Sequence, residues 1–477
     1  MAEAALPHPL DTDGLSPVPG PASTSSRVDV GALPQGAARR LARAHLWLGV
    51  AALIGSGLLA IVLVLSRTPG IAAVFPLRDL FRAALVVHVD LSVLIWFMAF
   101  AATVWTQWTR ERAVALGWVG WSLAAAGTLA MTISPFAPDA QPLLNNYIPV
   151  LDQPLFMTGL ALCGAGFGLT MLRALACGFD TDPAGRWSAL LKTGLWASLA
   201  AGVLAWLTWA WTAWQLPAGQ GAAYFELLFW GAGHVLQFQH ALLALLAWLW
   251  LLTQLGAPLR AGPELLGRGM ALAGLPLLVL PWLLVQAPVG SGDQMAGFAE
   301  LMRWGHLAML PLMGVVLAAL PWLWRQPAGP ARSALLASLL LFVTGGVLAF
   351  LIRGVNVVVP AHYHGSIVGV TLAFMGWAYL MLPRLGFRAP EARLARWQPL
   401  VYGGGQLMHI LGLAWSGGYG VQRKVAGSEQ VLLGLPERIG MGMMGLGGLI
   451  AIVGGLMFVL VCLKAMGPGR RSGHSGH

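Results

Sequence analysis

Long apolar runs, each of a length that could cross a lipid bilayer, constrain the fold of this chain more than any other feature. A bilayer core about 30 Å thick requires about 20 apolar residues in an α-helix. Only 10% of the residues are charged, whereas soluble domains carry roughly 25%. The sequence therefore predicts an all-α integral membrane protein of about twelve transmembrane helices. The runs lie near 45–66, 81–106, 114–134, 150–176, 187–214, 222–255, 268–286, 298–324, 331–352, 361–385, 397–417 and 438–465.

Most Lys and Arg residues lie in alternate loops, which share one side of the membrane if the helices alternate in direction. Loops on the other side, such as SPFAPDAQPLLNNYIP and QLPAGQGAAY, contain no Lys or Arg. The positive-inside rule therefore predicts a multi-pass protein of the cell inner (cytoplasmic) membrane with both termini in the cytoplasm. Because orientation explains the net charge of +10, no nucleic-acid partner is expected. The basic loop residues are Arg39, Arg40, Arg43, Arg110, Arg112, Arg173, Arg186, Lys192, Arg260, Arg268, Arg325, Arg332, Arg384, Arg388, Arg393, Arg396, Lys464, Arg470 and Arg471.

The two ends of the chain differ in composition from its apolar middle. Residues 1–38 are rich in Pro, Ala, Gly and Ser, and the last residues read GPGRRSGHSGH. This composition predicts a disordered cytoplasmic tail (1–38), a membrane domain (39–466) and a short cytoplasmic tail (467–477) with His474 and His477. The cysteines form no metal-binding spacing and are expected to be packing residues: Cys163, Cys177 and Cys462.

Seven histidines fall on five of the predicted helices, all in the half of the membrane predicted to face outward. Ionisable side chains inside a bilayer are costly and usually face the bundle interior or a functional site. A common depth favours a shared cofactor site over seven unrelated core residues. The seven are His88, His234, His240, His306, His362, His364 and His409.

His362 and His364 stand two residues apart in PAHYHGSIVG (360–369), at the start of the tenth helix. Residues i and i+2 are about 200° apart around a helix, so they suit two separate partners better than one shared ligand. Imidazole binds zinc, copper, nickel and heme iron, and no cysteine or carboxylate set has structural-zinc spacing. Axial histidines that hold heme between transmembrane helices fit the pattern best.

Three segments resemble subunit I of the heme-copper oxidases, the family of the cytochrome oxidases and nitric-oxide reductases. They are FRAALVVHVDLSVLIWF (81–97), FWGAGHVLQF (229–238) and RGVNVVVPAHYHGSIVGVTLAFMGWAYLMLP (353–383). With histidines on the second, sixth and tenth of about twelve helices, the resemblance covers nearly the whole chain. It implies a heme-copper oxidase subunit I-like bundle that binds two hemes, one low-spin and one high-spin, with copper as a further cofactor.

The resemblance also implies roles for individual residues. His88 and His364 would be the two axial ligands of the low-spin heme. His362 would bind the iron of the high-spin, reactive heme. His234 would bind a copper ion that faces this heme, which would make His362 and His234 the catalytic pair.

A basic pair follows the eleventh helix in GGYGVQRKVAG. By the resemblance, Arg423 and Lys424 would hold the heme propionates. The chain has no Cys-X-X-Cys-His for covalent heme. Electrons are therefore expected from a separate c-type cytochrome or copper-containing subunit, or from quinol in the membrane, and the substrate is expected to be a small gas.

Three features differ from the family pattern. The family usually places two adjacent histidines at the outer end of the seventh helix as copper ligands, where this sequence has Val285 and Gln286. The candidate replacements are His306 on the eighth helix and His240, which lies on a different face of the sixth helix from His234. In one branch of the family a tyrosine follows the sixth-helix histidine by four residues, a position held here by Phe238. Few polar residues lead inward from the site, so efficient proton pumping is not expected.

Three acidic residues lie near this site. Glu226 and Glu300, near the outer surface, are expected to be solvated helix-end carboxylates. Asp90 lies within the membrane two residues after His88. Asp90 is expected to pair with an arginine, to contact a heme edge or to be solvated, and the sequence leaves these alternatives open.

The sequence thus predicts a terminal oxidase of the cytochrome c oxidase subunit I type. It would pass electrons from the low-spin to the high-spin heme and reduce oxygen in aerobic respiration. Two alternatives stay open: a nitric-oxide reductase-like enzyme, and a non-catalytic heme relay or gas sensor without complete copper ligation. The sequence does not determine the heme type or the electron donor.

Overall fold

The computed structural model describes residues 36–70, 78–182 and 184–467, and twelve long helical segments lie in this part of the chain. Eleven are long and apolar enough to cross a membrane, and α11 is 27 residues long. The predicted all-α bundle of about twelve helices is confirmed. Most of the predicted tails, including His474 and His477, lies outside the described residues. The segments are α1 (Ala37–Arg67), α2 (78–108), α3 (Val114–Phe136), α4 (Pro154–Cys177), α5 (Ser188–Gln215), α6 (Gly221–Gln254), α7 (Pro263–Val285), α8 (Gly292–Arg325), α9 (Pro330–Ala349), α10 (Val358–Arg384), α11 (Ala392–Gly418) and α12 (Leu435–Met466).

Four segments change their hydrogen-bonding pattern along their length. In α7 and α8 the changes occur at prolines, which lack the N–H that an α-helix needs. In α2 a π-helical turn begins directly after His88 and Val89, and such turns often occur at functional sites. The parts are Arg78–Val89, Asp90–Ile95 (π) and Trp96–Trp108 in α2; Val114–Ile133 and Ser134–Phe136 (3-10) in α3; Pro263–Gly274, Leu275–Val279 (3-10) and Leu280–Val285 in α7; and Gly292–Gly305, His306–Met309 (3-10), Leu310–Ala318 and Leu320–Arg325 in α8.

Glycines bring several helix pairs close together, as is usual in membranes, where small residues let helix backbones approach. A Cβ atom added to Gly345 of α9 would lie 2.7 Å from the carbonyl carbon of Gly365 in α10. One added to Gly159 of α4 would lie 2.9 Å from the carbonyl oxygen of Gly127 in α3. The contact between α9 and α10 is the important one here because it lies beside His362 and His364.

Aromatic side chains from α2, α6 and α10 fill the middle of the bundle. Phe100 of α2 stacks on Phe374 of α10 with ring centroids 4.2 Å apart. Trp377 of α10 packs against Trp108 of α2 and Trp250 of α6. This packing fixes the relative positions of the three helices that carry the predicted ligands.

A short hairpin and a 3-10 turn lie at the end of the bundle where α2, α6 and α10 begin, which we call the ligand end. Strands β1 (Gln141–Leu143) and β2 (Val150–Asp152) pair antiparallel between α3 and α4. Both strands contact α2, and β1 also contacts α6. The turn Gly427–Gln430 precedes α12. The hairpin therefore lies over the predicted site.

Candidate functional site

Three histidines from three helices gather near the ligand end. The ring centroids of His364 in α10 and His409 in α11 are 5.2 Å apart. His88 of α2 lies near both of these rings. The structure thus brings together His88 and His364, the residues predicted to bind one iron, and adds His409.

Each predicted heme ligand is anchored through the same ring nitrogen. The Nδ1 atom of His88 lies 2.9 Å from the backbone oxygen of Ser56 in α1. The Nδ1 atom of His364 lies 2.8 Å from the oxygen of Pro360, and that of His362 lies 2.8 Å from the oxygen of Gly345 in α9.

A carbonyl oxygen can only accept a hydrogen bond, so Nδ1 must carry the proton in each of these rings. The Nε2 atom is then unprotonated and keeps a lone pair for a metal. Among the described residues, the Nε2 atoms of His88, His362 and His364 have no hydrogen-bond partner. Metal-binding histidines usually donate their other ring N–H to such an acceptor. These three residues therefore fit axial ligation of heme iron.

His234, the predicted copper ligand, differs from these three histidines. Its Nδ1–H donates to the oxygen of Trp230 at 2.7 Å, and its Nε2 lies 2.8 Å from the hydroxyl of Tyr147. Since Nδ1 holds the proton, the tyrosine hydroxyl is the donor and Nε2 is the acceptor. Tyr147 lies in the hairpin connection between β1 and β2. Both ring nitrogens of His234 are thus occupied by protein groups.

The other two histidines of this region do not complete a metal site with His234. The ring of His306 stacks on Phe238 at 4.1 Å between centroids, and its Nδ1–H donates to the oxygen of Met302 at 2.8 Å. His240 packs edge-on against Phe97, 4.7 Å away. Within residues 36–70, 78–182 and 184–467, no three His, Cys, Asp or Glu side chains are placed to hold a metal ion. The side chains as arranged do not fit a copper ion.

Arg423 and Lys424, the predicted propionate partners, lie beside the hairpin. The guanidinium of Arg423 donates to the side-chain oxygen of Asn146 at 3.2 Å, and the ammonium of Lys424 donates to the backbone oxygen of Asn145 at 3.3 Å. Partial burial and then the adjacent Arg423 lower the pKa of Lys424, while Glu226 opposes this shift. The basic pair therefore lies at the ligand end, close to the predicted hemes.

Glu226 of α6 holds the hairpin in place. Its two oxygens accept hydrogen bonds from the backbone N–H and the side-chain amide of Asn146, at 2.9 and 2.7 Å. Burial and then the nearby Glu226 carboxylate raise the pKa of Tyr147 above its usual value. Glu226 is thus a structural partner of the hairpin and not merely a solvated helix-end carboxylate. Glu300, in contrast, pairs with Arg303 at the exposed surface.

Asp90 is buried, with 1% of its side chain exposed. Neither carboxyl oxygen has a hydrogen-bond partner among the described residues. Asp90 is therefore neither solvated nor paired with an arginine of the described residues, two of the alternatives expected from the sequence. A buried carboxylate without a partner is costly, and Asp90 lies in the π-helical turn that follows His88.

Three residues that shape this site could not be identified from the sequence. Ser56 and Gly345 anchor ligands through backbone oxygens, which every residue has. Tyr147 reaches His234 from a hairpin 87 positions away in the chain. The local sequence around His234 contains no information about a contact with a residue so distant in the chain.

Comparisons with known proteins agree with the geometry. Residues 40–457 match the family described as Cytochrome C and Quinol oxidase polypeptide I. An uncharacterized protein of Rickettsia prowazekii (strain Madrid E) is 30% identical over an alignment of 501 positions, gaps included, that covers 89% of this chain and 96% of that protein. An uncharacterized protein of Aquifex aeolicus (strain VF5) is 27% identical over 346 aligned residues, which cover 72% of this chain and 85% of that protein. A chain of a heme-copper terminal oxidase dimer, solved by cryo-EM, superposes with a TM-score of 0.68 at 15% identity, covering 91% of this chain and 85% of that chain.

Proposed function

The chain belongs to the heme-copper oxidase subunit I family, and we propose that it is a respiratory oxidoreductase that passes electrons from a low-spin to a high-spin heme and reduces oxygen. The observation that supports this most directly is the anchoring of three histidines at the positions that the family resemblance assigns to heme iron. His88, His362 and His364 each donate Nδ1–H to a carbonyl and leave Nε2 available.

We assign His88 and His364 to the low-spin heme and His362 to the high-spin heme. His362 and His364 lie on different faces of one helix, so α10 would hold both irons at a fixed separation. Each carbonyl acceptor fixes the ring orientation and makes Nε2 more basic. Bound heme would supply one-electron transfer at one iron and gas binding and reduction at the other.

Other residues of the chain would hold the hemes and their surroundings in place. Arg423 and Lys424 supply positive charge for the propionates at the ligand end. His234 would lie on the gas side of the high-spin heme. The aromatic packing of Phe100, Phe374 and Trp377 would exclude water from the half of the bundle away from the hemes.

The ligand end would face outward in the cytoplasmic membrane, with both termini inside. Electrons would come from a c-type cytochrome or copper-containing subunit, or from quinol. The alternating basic loops support this orientation.

Two observations favour other candidate functions. Copper-dependent oxygen reduction needs metal ligands that the described residues do not assemble, and Phe238 takes the position of a family tyrosine. A nitric-oxide reductase-like enzyme or a non-catalytic heme relay or gas sensor would keep the heme ligands without a complete copper site.

The test is a reduced-minus-oxidised absorption spectrum of the purified protein together with a heme count. Two hemes are expected, one of them six-coordinate. His88→Ala should abolish the six-coordinate low-spin signal and retain the high-spin heme. His409→Ala is the matched control, since His409 also lies beside His364, and it should keep both signals. A protein without a Soret band, or a low-spin signal that survives loss of His88, would refute the assignment. Oxygen and nitric-oxide consumption by the same preparation would then distinguish the candidate functions.

A further inference from the structure

The hydrogen bond between Tyr147 and His234 distinguishes His234 from the proposed heme ligands, whose Nε2 atoms have no hydrogen-bond partner among the described residues. The Tyr147 hydroxyl donates to Nε2 at 2.8 Å, and Nδ1–H donates to the oxygen of Trp230 at 2.7 Å. A metal can bind only through an unprotonated nitrogen with a free lone pair. In this arrangement His234 has none to offer.

Several features hold Tyr147 in this position. Glu226 accepts two hydrogen bonds from Asn146, the residue before Tyr147, and lies two turns before His234 on the same helix. Hydrogen bonds to a carboxylate are about twice as strong as neutral ones. The N–H of Tyr147 itself donates to the side-chain oxygen of Asn145 at 3.0 Å.

The ring of Tyr147 packs closely against the surface of α6. A Cβ atom added to Gly233 would lie 2.7 Å from the Cβ atom of Tyr147 and closer still to its ring. Only glycine leaves room for the ring against the helix at this position. Trp230 contacts the same ring edge-on, with centroids 5.8 Å apart. One helix, α6, therefore provides the contacts that position Tyr147, through Glu226, Trp230, Gly233 and His234.

We propose that Tyr147 occupies the metal-binding position at His234, so that a hydrogen-bonded Tyr147–His234 pair replaces a copper ion opposite the high-spin heme. This inference rests on the proposed function for the placement of the heme. The part of the chain that the structure describes then holds no metal other than heme iron. Glu226 acts as a positioning residue, because it reaches His234 only through the hairpin that carries Tyr147.

The first experiment is metal analysis of the purified protein, grown with ample copper and compared with its heme content. Iron should equal heme, and copper and other transition metals should be near zero. One copper, or one non-heme iron, for every two hemes would overturn the inference while leaving the proposed function standing. A preparation without heme would instead refute the proposed function.

The second experiment uses carbon monoxide bound to the reduced high-spin heme, whose C–O stretching band reports on neighbouring polar groups. Tyr147→Phe, which keeps the ring and removes the donor, should shift this band. Glu226→Gln should shift it in the same direction or split it. Tyr224→Phe is the matched control, because Tyr224 lies at the start of the same helix and makes no side-chain hydrogen bond among the described residues. Equal bands in wild type, Tyr147→Phe and Tyr224→Phe would overturn the proposed pairing.

Discussion

The close contact between α9 and α10 allows a sharp test of how the high-spin ligand is held. The backbone oxygen of Gly345 accepts the Nδ1–H of His362 at 2.8 Å. A Cβ atom on Gly345 would lie 2.7 Å from the carbonyl carbon of Gly365 and 2.8 Å from Oγ of Ser366, and would clash with the backbone nitrogen of Ser366. Two of these three atoms are backbone, so no side-chain rotation can relieve the contact. Gly345→Ala must therefore push the helices apart beside His362.

The size of the effect follows from two opposing contributions. Overpacking of this kind costs about 1–3 kcal/mol. Replacing glycine by alanine within a helix recovers about 0.5–1 kcal/mol. At Gly346, the next residue, an added Cβ meets no atom within 4 Å. Gly346→Ala therefore carries only the second contribution, and the difference between the two variants isolates the cost of the contact, about 1–3 kcal/mol in the free energy of unfolding.

The measurement is reversible unfolding of both variants in mixed detergent and SDS, followed by circular dichroism. The carbon monoxide spectrum of each reduced variant should be recorded alongside it. Gly345→Ala should be the less stable variant and should have a weakened or altered high-spin heme, while Gly346→Ala should match wild type in its spectrum. If the two variants were equally stable and spectrally alike, the close approach of α9 and α10 at His362 would be wrong.

Three further substitutions test other parts of the site. Asp90→Asn should leave the free energy of unfolding unchanged or raise it, because no hydrogen bond among the described residues is lost; removing a carboxylate from a buried ion pair would cost about 3–5 kcal/mol. Arg423→Gln should lower the reduction potential of the nearer heme, since it removes positive charge that disfavours the oxidised state. A redox titration should show a change of up to about 40 mV, the one-electron equivalent of about 1 kcal/mol. Trp248→Phe removes the donor to Ser338 at 2.8 Å and should cost about 1 kcal/mol in a denaturation experiment, with both heme signals retained.

The helical bundle could be predicted from the sequence because membrane helices are specified by length and apolarity, which can be counted. The predicted boundaries are less accurate for α7 and α8. The sequence predicts that α7 begins at residue 268 and α8 at 298, whereas they begin at Pro263 and Gly292. The first turns contain Glu264, Asp293 and Gln294, polar residues that hydropathy does not distinguish from a loop.

The heme ligands could be proposed from sequence for a different reason. His362 and His364 occur within one short motif, and helical geometry alone separates their directions. Tyr147 could not be found in this way, because its contact with His234 depends on how a hairpin folds over another helix. The sequence predicts a solvated helix-end carboxylate at Glu226 for the same reason: its partner, Asn146, lies 80 positions away.

The histidines differ in where their anchoring carbonyl comes from, and this difference has a functional consequence. His364 bonds the oxygen of Pro360, one turn earlier in its own helix, so its orientation depends little on neighbouring helices. His88 and His362 use carbonyls of Ser56 in α1 and Gly345 in α9. Their orientations therefore depend on how helices pack.

Changes in helix packing should consequently affect the proposed high-spin heme, for which His362 would be the one ligand on α10, more than the proposed low-spin heme, which would keep His364 even when His88 shifts. Of the two proposed heme ligands on α10, His362, assigned to the reactive heme, is therefore the one whose orientation depends on a neighbouring helix. A subunit or quinol that contacted α9 could alter the reactive heme through Gly345 without moving the His364 side of the low-spin heme.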